Sequence, residues 1–513
     1  MAPAAALPDA STADGYLLVL AILLPVTGIL LSLVLGGRYV ERIVAVVVAM
    51  GVAAAAAVLV SVWSGGAPLV YIVGGWPPPL GLALRADGLS AAMMMVTAIV
   101  VCATGLFARG EFSQPSGPPE QRGPLVFWLL LLAIWSALNA IVLGNDLFNL
   151  YVALELLTFA AVPLVCLKGT PDTIAAALRY MLFALLGSVL YLLGAVLIYG
   201  AYGTLDIVLL LARVRAEPIA PIAGALMTMG LLAKTGLFPL HLWLPPAHAG
   251  APAPGSAILS ALVVKGSFFL IVRIWFDAMP GLLTLAAAQL LATLGAGAIL
   301  VGSVLALRQQ RLKLLIAYST IAQIGYLFFL FPLAGGFQLG AQASAVAWTG
   351  GWLQLFSHAF AKAAMFMAAG LIAQAAGHDR IADLGGIGRV LPITAVAFGL
   401  AGLSLMGVPP SGGFVAKWLL LTAAVMDGQW VWAAVMLTGG LLAGGYVLLV
   451  LGKLMGDGTD ASAADVPCAS VSRGREVVVL AVALCAVALG LVPLEPSELL
   501  QIGRATVVEI SAR

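Results

Sequence analysis

Charge is almost absent from this 513-residue chain: Asp, Glu, Lys and Arg together make up 9% of it, against 62% apolar residues. A soluble domain is about a quarter charged. Too few polar groups exist here to cover a water-facing surface, which excludes a globular enzyme, a nucleic-acid binder and a disordered scaffold. The chain must instead meet lipid, and a helix crosses the hydrocarbon core in about 20 residues. Fourteen apolar runs of that order, bounded by charges, Pro and Gly, lie at 16–35, 41–62, 88–108, 124–143, 147–167, 174–200, 219–238, 252–276, 282–304, 313–333, 341–374, 392–422, 429–452 and 475–494. The expected fold is an all-α polytopic membrane protein with about 14 transmembrane helices. The apolar segment from Leu205 to Arg215 is too short to cross and is expected along the membrane interface.

The few charges inform by position. Twenty-four Lys and Arg against 22 Asp and Glu give +2, with no global bias toward nucleic acid or acidic substrates. The odd-numbered loops hold 14 basic residues, namely Arg38, Arg42, Arg109, Arg122, Lys168, Arg179, Arg308, Arg311, Lys313, Arg380, Arg389, Lys453, Arg473 and Arg475. The termini and even-numbered loops hold six: Arg85, Arg213, Arg215, Arg273, Arg504 and Arg513. The positive-inside rule then places both termini outside, in a multi-pass protein of the cell membrane. The opening MAPAAALPDASTADG lacks a basic n-region, so the first span is expected to be retained. Cys102, Cys166, Cys468 and Cys485 show no C-x-x-C spacing. No iron–sulfur or zinc site can be built from them, and no cofactor or metal is expected in the chain.

Four cations remain inside predicted spans, Lys234, Lys265, Lys362 and Lys417, and all are lysines. Arginine never releases its proton in a protein, whereas a desolvated lysine does so near neutral pH. Snorkelling explains one intramembrane lysine better than four, since each mid-membrane charge costs about 2.5–3.5 kcal/mol even on insertion scales. Glu155 is the one carboxylate well inside a span and calls for a cationic partner; a buried Glu–Lys pair is either a static tie or a proton switch. His358 precedes Lys362 by four residues and shares its helix face, within reach of direct or water-mediated proton exchange. His241 and His248 flank Leu-Trp-Leu-Pro-Pro and are supporting candidates, with capping or loop packing an equal reading for His248.

Proline inside a helix removes a hydrogen bond and kinks it. The seventh span must therefore break after Lys234, at Pro239, and the twelfth at Pro409 and Pro410. Laying Gly236-Leu-Phe-Pro-Leu-His241 on Gly412-Gly-Phe-Val-Ala-Lys417 puts a titratable residue three places after Phe in both. Paired interrupted helices in two halves point to an inverted-repeat transporter. The expected organisation is an N-terminal three-helix unit over 1–123, one five-helix repeat over 124–276, its inverted partner over 277–452, and a loop, a fourteenth span and a short tail over 453–513. The eleventh span, with Gly350-Gly351 and Ser357-His358 inside it, exceeds one crossing and is expected to be broken as well.

Several motifs now carry a resemblance. They are Gly144-Asn-Asp-Leu-Phe-Asn-Leu-Tyr with Glu155, Lys234-x4-Pro239-x-His241-x-Trp243, Ala249-Gly-Ala-Pro-Ala-Pro-Gly-Ser followed by Lys265, Ala317-Tyr-Ser-Thr-Ile-Ala-Gln-Ile-Gly325, His358-Ala-x2-Lys362, and Gly407-x-Pro-Pro-x2-Gly-Phe-x2-Lys417. Together they resemble the antiporter-like proton-translocating subunits shared by respiratory complex I, membrane-bound hydrogenases and the multi-subunit Mrp cation/proton antiporters. The likeness covers nearly the whole chain, and Asn145 to Tyr151 and Lys417 look most like the Mrp D-type subunit; complex I M-type subunits usually carry glutamate at the latter place. Leu154, where an aromatic residue is usual, and the Pro/Gly-rich loop from Ser113 to Arg122 depart from that pattern. The resemblance implies proton transfer along Glu155, Lys234, Lys265, His358, Lys362 and Lys417, other membrane subunits as partners, and protons with Na+ as the candidate exchanged ion. A redox-driven complex I or hydrogenase subunit would use the same axis. No redox or hydrolytic site is read in the chain itself.

Overall fold

The computed structural model describes residues 11–113, 122–215, 217–282, 284–337, 341–456, 470–494 and 497–504. Cys468 and Arg513, and most of the loop from Ser113 to Arg122, lie outside them. Long apolar helices fill the described chain because lipid offers the backbone no hydrogen-bond partner, so each crossing must satisfy its own. Among the described residues, twelve helices are long and apolar enough to span a membrane.

The order begins with α1 (Tyr16–Leu35), α2 (Val40–Gly65), the strands β1 (Leu69–Ile72) and β2 (Ala83–Ala86), and α3 (Gly88–Ala108). It continues with α4 (Arg122–Leu143), α5 (Leu147–Val165), α6 (Pro171–Tyr202), the shorter α7 (Ile219–Thr235) and α8, a continuous run over Ala253–Ala278. Then come α9 (Leu285–Leu307), α10 (Leu312–Ala334), α11 (Ala341–Ala376), α12 (Pro392–Met406), α13 (Gly412–Met426), α14 (Trp430–Met455) and α15 (Arg473–Ala488). The strands form an antiparallel hairpin with Val70 opposite Arg85, and Thr12 hydrogen-bonds the Val70 backbone.

Helix starts follow the side-chain chemistry. Asp87 accepts from Ser90 N, Asp146 from Phe148 N and Asn149 N, and Ser411 from Phe414 N, each satisfying orphan donors of a first turn. Within the segment too short to cross, Ile207–Arg213 forms a short helix, again capped by an aspartate, Asp206.

Burial sorts the helices into a centre and a rim. The most apolar window of α8 is entirely buried, and those of α11 and α10 are 94% and 89% buried, whereas α1, α14 and α15 each reach 33%. Close crossings occur where glycine removes the side chain. A Cβ on Gly230 of α7 would lie 2.2 Å from Gly187 O of α6, and one on Gly325 of α10 would lie 2.3 Å from Gly295 O of α9.

Two expectations need correction. The eleventh span is one unbroken helix of 36 residues, since neither Gly350-Gly351 nor Ser357-His358 removes a backbone donor. Gly350 instead lets α13 approach, a Cβ there falling 2.9 Å from that of Leu419. The irregular central helix is α8, which widens into π turns at Leu259–Val263 and Arg273–Ala278 on either side of Lys265. Finally, Arg273 is not a loop cation: it lies inside α8, 8% exposed.

Candidate functional site

α7 ends as the prolines require. Gly236, at φ +71°, lets its own N–H and that of Leu237 turn back to Leu232 O, and Trp243 Nε1 donates to Ala233 O at 2.9 Å. α12 ends the same way: Gly407, at φ +82°, and Val408 both donate to Leu403 O. Each capping glycine precedes a proline by three places, Pro239 and Pro410. Aligned by these caps, Gly236 corresponds to Gly407, whereas the sequence match pairs it with Gly412. In this register Lys234 occupies the place of Leu405, and Lys417 comes from the far side of its break.

Both lysines nevertheless reach comparable ground. Lys234 donates to Glu155 Oε1 at 3.0 Å and to Thr158 Oγ1 at 2.9 Å, and Ser188 Oγ donates to the same Glu155 oxygen. Lys417 donates to Leu405 O at 2.5 Å, a carbonyl freed by the helix break, and its ammonium stands 4.4 Å from the centre of the Tyr326 ring. One lysine is held by a carboxylate and the other by a carbonyl and a π face.

Lys265 and Lys362 are fully buried. Lys265 donates to Ser260 O at 2.9 Å, inside the π turn, and Lys362 donates to Ile316 O at 3.0 Å and to Ser319 Oγ. Among the described residues no carboxylate comes within ion-pairing distance of Lys265, Lys362 or Lys417. These three lysines rest on backbone carbonyls, one hydroxyl and, for Lys417, the Tyr326 ring.

His358 is buried on α11, one turn before Lys362. It forms no hydrogen bond to Lys362 despite the shared face; both ring nitrogens are buried without a partner among the described residues. His248 is buried and stacks on Phe366 at 4.6 Å. His241 stands apart, in a cleft of about 340 Å³ with Arg179, Phe183, Leu242, Pro245, Pro246 and Tyr318. The structure thus joins Glu155 to Lys234, and carries Lys265 on α8, His358 and Lys362 on α11 and Lys417 on α13, with α11 packed against both α8 and α13. The step between the groups is polar: Thr235 Oγ1, next to Lys234, donates to Ser267 Oγ at 3.0 Å on the helix of Lys265.

Two sets of residues escaped the sequence reading. Arg273 donates to Asp87 at 2.5 and 2.8 Å, to Asp277 at 2.6 Å and to Ser90 Oγ at 2.8 Å, tying the end of α8 to the start of α3. Burial alone would raise the Asp87 carboxyl, but Arg273 outweighs it and holds that group at about 2. The other set is a stripe on α10, Ser319, Gln323 and Tyr326, whose four- and three-residue spacing is helical and legible in sequence.

A model of the NADH:quinone oxidoreductase/Mrp antiporter transmembrane family matches residues 144–443. The N-type subunit of NADH-quinone oxidoreductase from Desulforudis audaxviator is 36% identical over 79% of this chain and 78% of its own length. The D-type subunit of the Na+/H+ antiporter from Alkalihalophilus pseudofirmus is 29% identical over 83% of this chain and 84% of its own. In fold, a chain of the Mrp complex from Dietzia sp. superposes with a TM-score of 0.82 at 24% identity, covering 94% of this chain and 95% of that one.

Proposed function

The chain belongs to the NADH:quinone oxidoreductase/Mrp antiporter transmembrane family, and from that premise we propose that it is the proton-translocating subunit of an Mrp-type monovalent cation/proton antiporter. In this reading it crosses the membrane 14 times, with α7 and the α12–α13 pair each counting as one interrupted crossing. Helices 124–276 and 277–452 are inverted repeats, 1–123 and 453–513 flank them, and the basic ends of the helices face the cytoplasm. The observation that carries the reading is the Glu155–Lys234 ion pair, set beside a helix break and upstream of three lysines that lack carboxylate partners.

Glu155 keeps Lys234 protonated. When the pair is pulled apart, Lys234 loses its counter-charge in a low-dielectric setting and its proton moves on through Thr235 and Ser267 toward Lys265, His358, Lys362 and Lys417. Reloading comes from the cytoplasmic side past Pro239 and the His241 cleft, and Pro409 and Pro410 free the carbonyl that receives the last lysine. Na+ finds no oxygen cluster along a lysine-lined path, so its route belongs to another chain of the complex. The 36% identity to an N-type subunit supports a second reading, in which the same axis serves a redox-driven complex I-type assembly.

Cation-driven proton movement across inverted membrane vesicles tests the proposal. Lys234→Ala should leave the complex assembled and reduce transport to the level of membranes lacking this chain; retained transport contradicts it.

A further inference from the structure

Beside the first helix break the surface holds a cation without a counter-charge. The cleft of about 340 Å³ there lies between α6, which contributes Arg179 and Phe183, and α10, which contributes Tyr318. His241 and Leu242 come from the segment between them, His241 only 6% exposed and its Nδ1 buried without a partner among the described residues. No carboxylate is among the lining residues, and none of the described ones comes within ion-pairing distance of Arg179, which is exposed. The depth of the cleft follows from α6. This helix has 32 residues, and Gly187, at its middle, faces Lys234. Arg179 stands two turns earlier, about 12 Å along the axis. In a helix centred on a hydrocarbon core about 30 Å thick, that is close to the edge where phospholipid headgroups begin. Leu182, Phe183 and Leu186 continue the same face of α6 from Arg179 toward the middle of the helix. Leu182 and Leu186 are exposed, as is Leu242, so an apolar strip runs on from the cleft into the bilayer.

We propose that this cleft seats the headgroup of an anionic phospholipid, with Arg179 as the partner of its phosphate. The lining selects the class. A guanidinium offers a planar fork of donors that matches two phosphate oxygens, and His241 and Tyr318 are the other hydrogen-bond donors among the lining side chains. A choline or ethanolamine head would bring an ammonium that finds no carboxylate here and is repelled by Arg179, whereas a glycerol head brings no cation. The position selects the source. A lipid lying on the Leu182 and Leu186 strip already holds its phosphate at the depth of Arg179, while free phosphate would have to give up water to enter. The site also bears on transport, and this part rests on the proton-translocating reading above. The cleft is the mouth of the route that reloads Lys234, and a fixed negative charge at a mouth concentrates cations, protons included, in front of it.

The test uses the assembled complex reconstituted in vesicles that contain a phosphatidylglycerol with a photoreactive headgroup. Peptide mapping should find label on residues 241–246 in wild type. In Arg179→Gln, an exchange at an exposed and unpaired position, that label should fall about tenfold or more, the loss expected of one charge-assisted contact. Unlabelled phosphatidylglycerol should suppress the label, and phosphatidylcholine or inorganic phosphate should not. Equal labelling in wild type and Arg179→Gln overturns the lipid site, and so does suppression by inorganic phosphate or by phosphatidylcholine. Transport is read separately. Exchanging phosphatidylglycerol for phosphatidylcholine should slow cation-driven proton movement severalfold in wild type and leave the rate of Arg179→Gln unchanged. Labelling that depends on Arg179 beside transport that ignores the exchange overturns the role at the mouth alone. Full transport in Lys234→Ala would overturn the underlying reading instead, and the labelling result would stand.

Discussion

At the scale of single residues, what the molecule spends charge on is what the sequence makes visible. Four lysines and one glutamate stand out because a charge in lipid is costly, and all five lie where their spacing suggested, buried or half-buried in the interior. Ser319 and Gln323 lay inside a recognised motif but were not singled out as site residues, because an uncharged polar side chain costs a membrane helix little and is common at helix packing faces. Arg273 was misplaced for another reason. It stands near a helix end, and its partner Asp87 lies 186 positions away, so no local pattern reveals the pair. Replacing Arg273 by Met should strand two buried carboxylates and lower the stability of the complex by about 3–5 kcal/mol, measured as a shift in thermal unfolding. The same cluster has a pH signature. Asp87 is held at about 2 in the folded chain, below the value of about 3.9 for a free aspartate. Its contribution is therefore fully present above that free value and is lost as pH falls through about 2. Between those limits Asp87→Asn should flatten the acid loss of stability; an unchanged acid profile would mean that the pair contributes nothing.

At the scale of elements, the breaks were legible and the register was not. Proline predicts where a helix stops, and both breaks fall where Pro239, Pro409 and Pro410 require. The capping glycine decides how the breaks correspond, and Gly407 does this through a left-handed φ that sequence alone does not display. Length misled in α11, where 36 residues remain one helix, while α8 took the π turns that no Pro or Gly-Gly signal announces. The crossing of α6 and α7 provides an element-level prediction. A Cβ at Gly230 would meet Gly187 O at 2.2 Å, and one at Gly187 would come within 3.1 Å of Lys234 Cγ. Gly230→Ala should thus cost about 1–3 kcal/mol by overpacking and slow transport by disturbing Lys234. Gly200→Ala, on the same α6 but facing open space, should be neutral or slightly stabilising, as expected of Ala in a helix. Equal effects at the two positions would show that the close crossing does not matter to the site.

At the scale of the whole molecule, composition alone specified a polytopic helical membrane protein, and the twelve long apolar helices among the described residues bear that out. Which assembly the chain joins is written in surfaces that face other chains, where sequence pattern has no intramolecular contact to report. Mass spectrometry of what co-purifies with the tagged chain from its native membrane in mild detergent should find small hydrophobic companions without flavin or iron. Iron–sulfur or nickel-containing companions would make the same axis the pump of a redox complex. The central claim, that the buried pair exchanges a proton and is not merely a tie between helices, is tested most directly by Lys234→Arg. Arginine keeps the positive charge and can pair with Glu155, but it does not give up its proton. The account predicts a fully assembled complex in which cation-driven proton transport in inverted vesicles falls to background; transport at the wild-type rate would contradict it and leave Glu155–Lys234 a static ion pair.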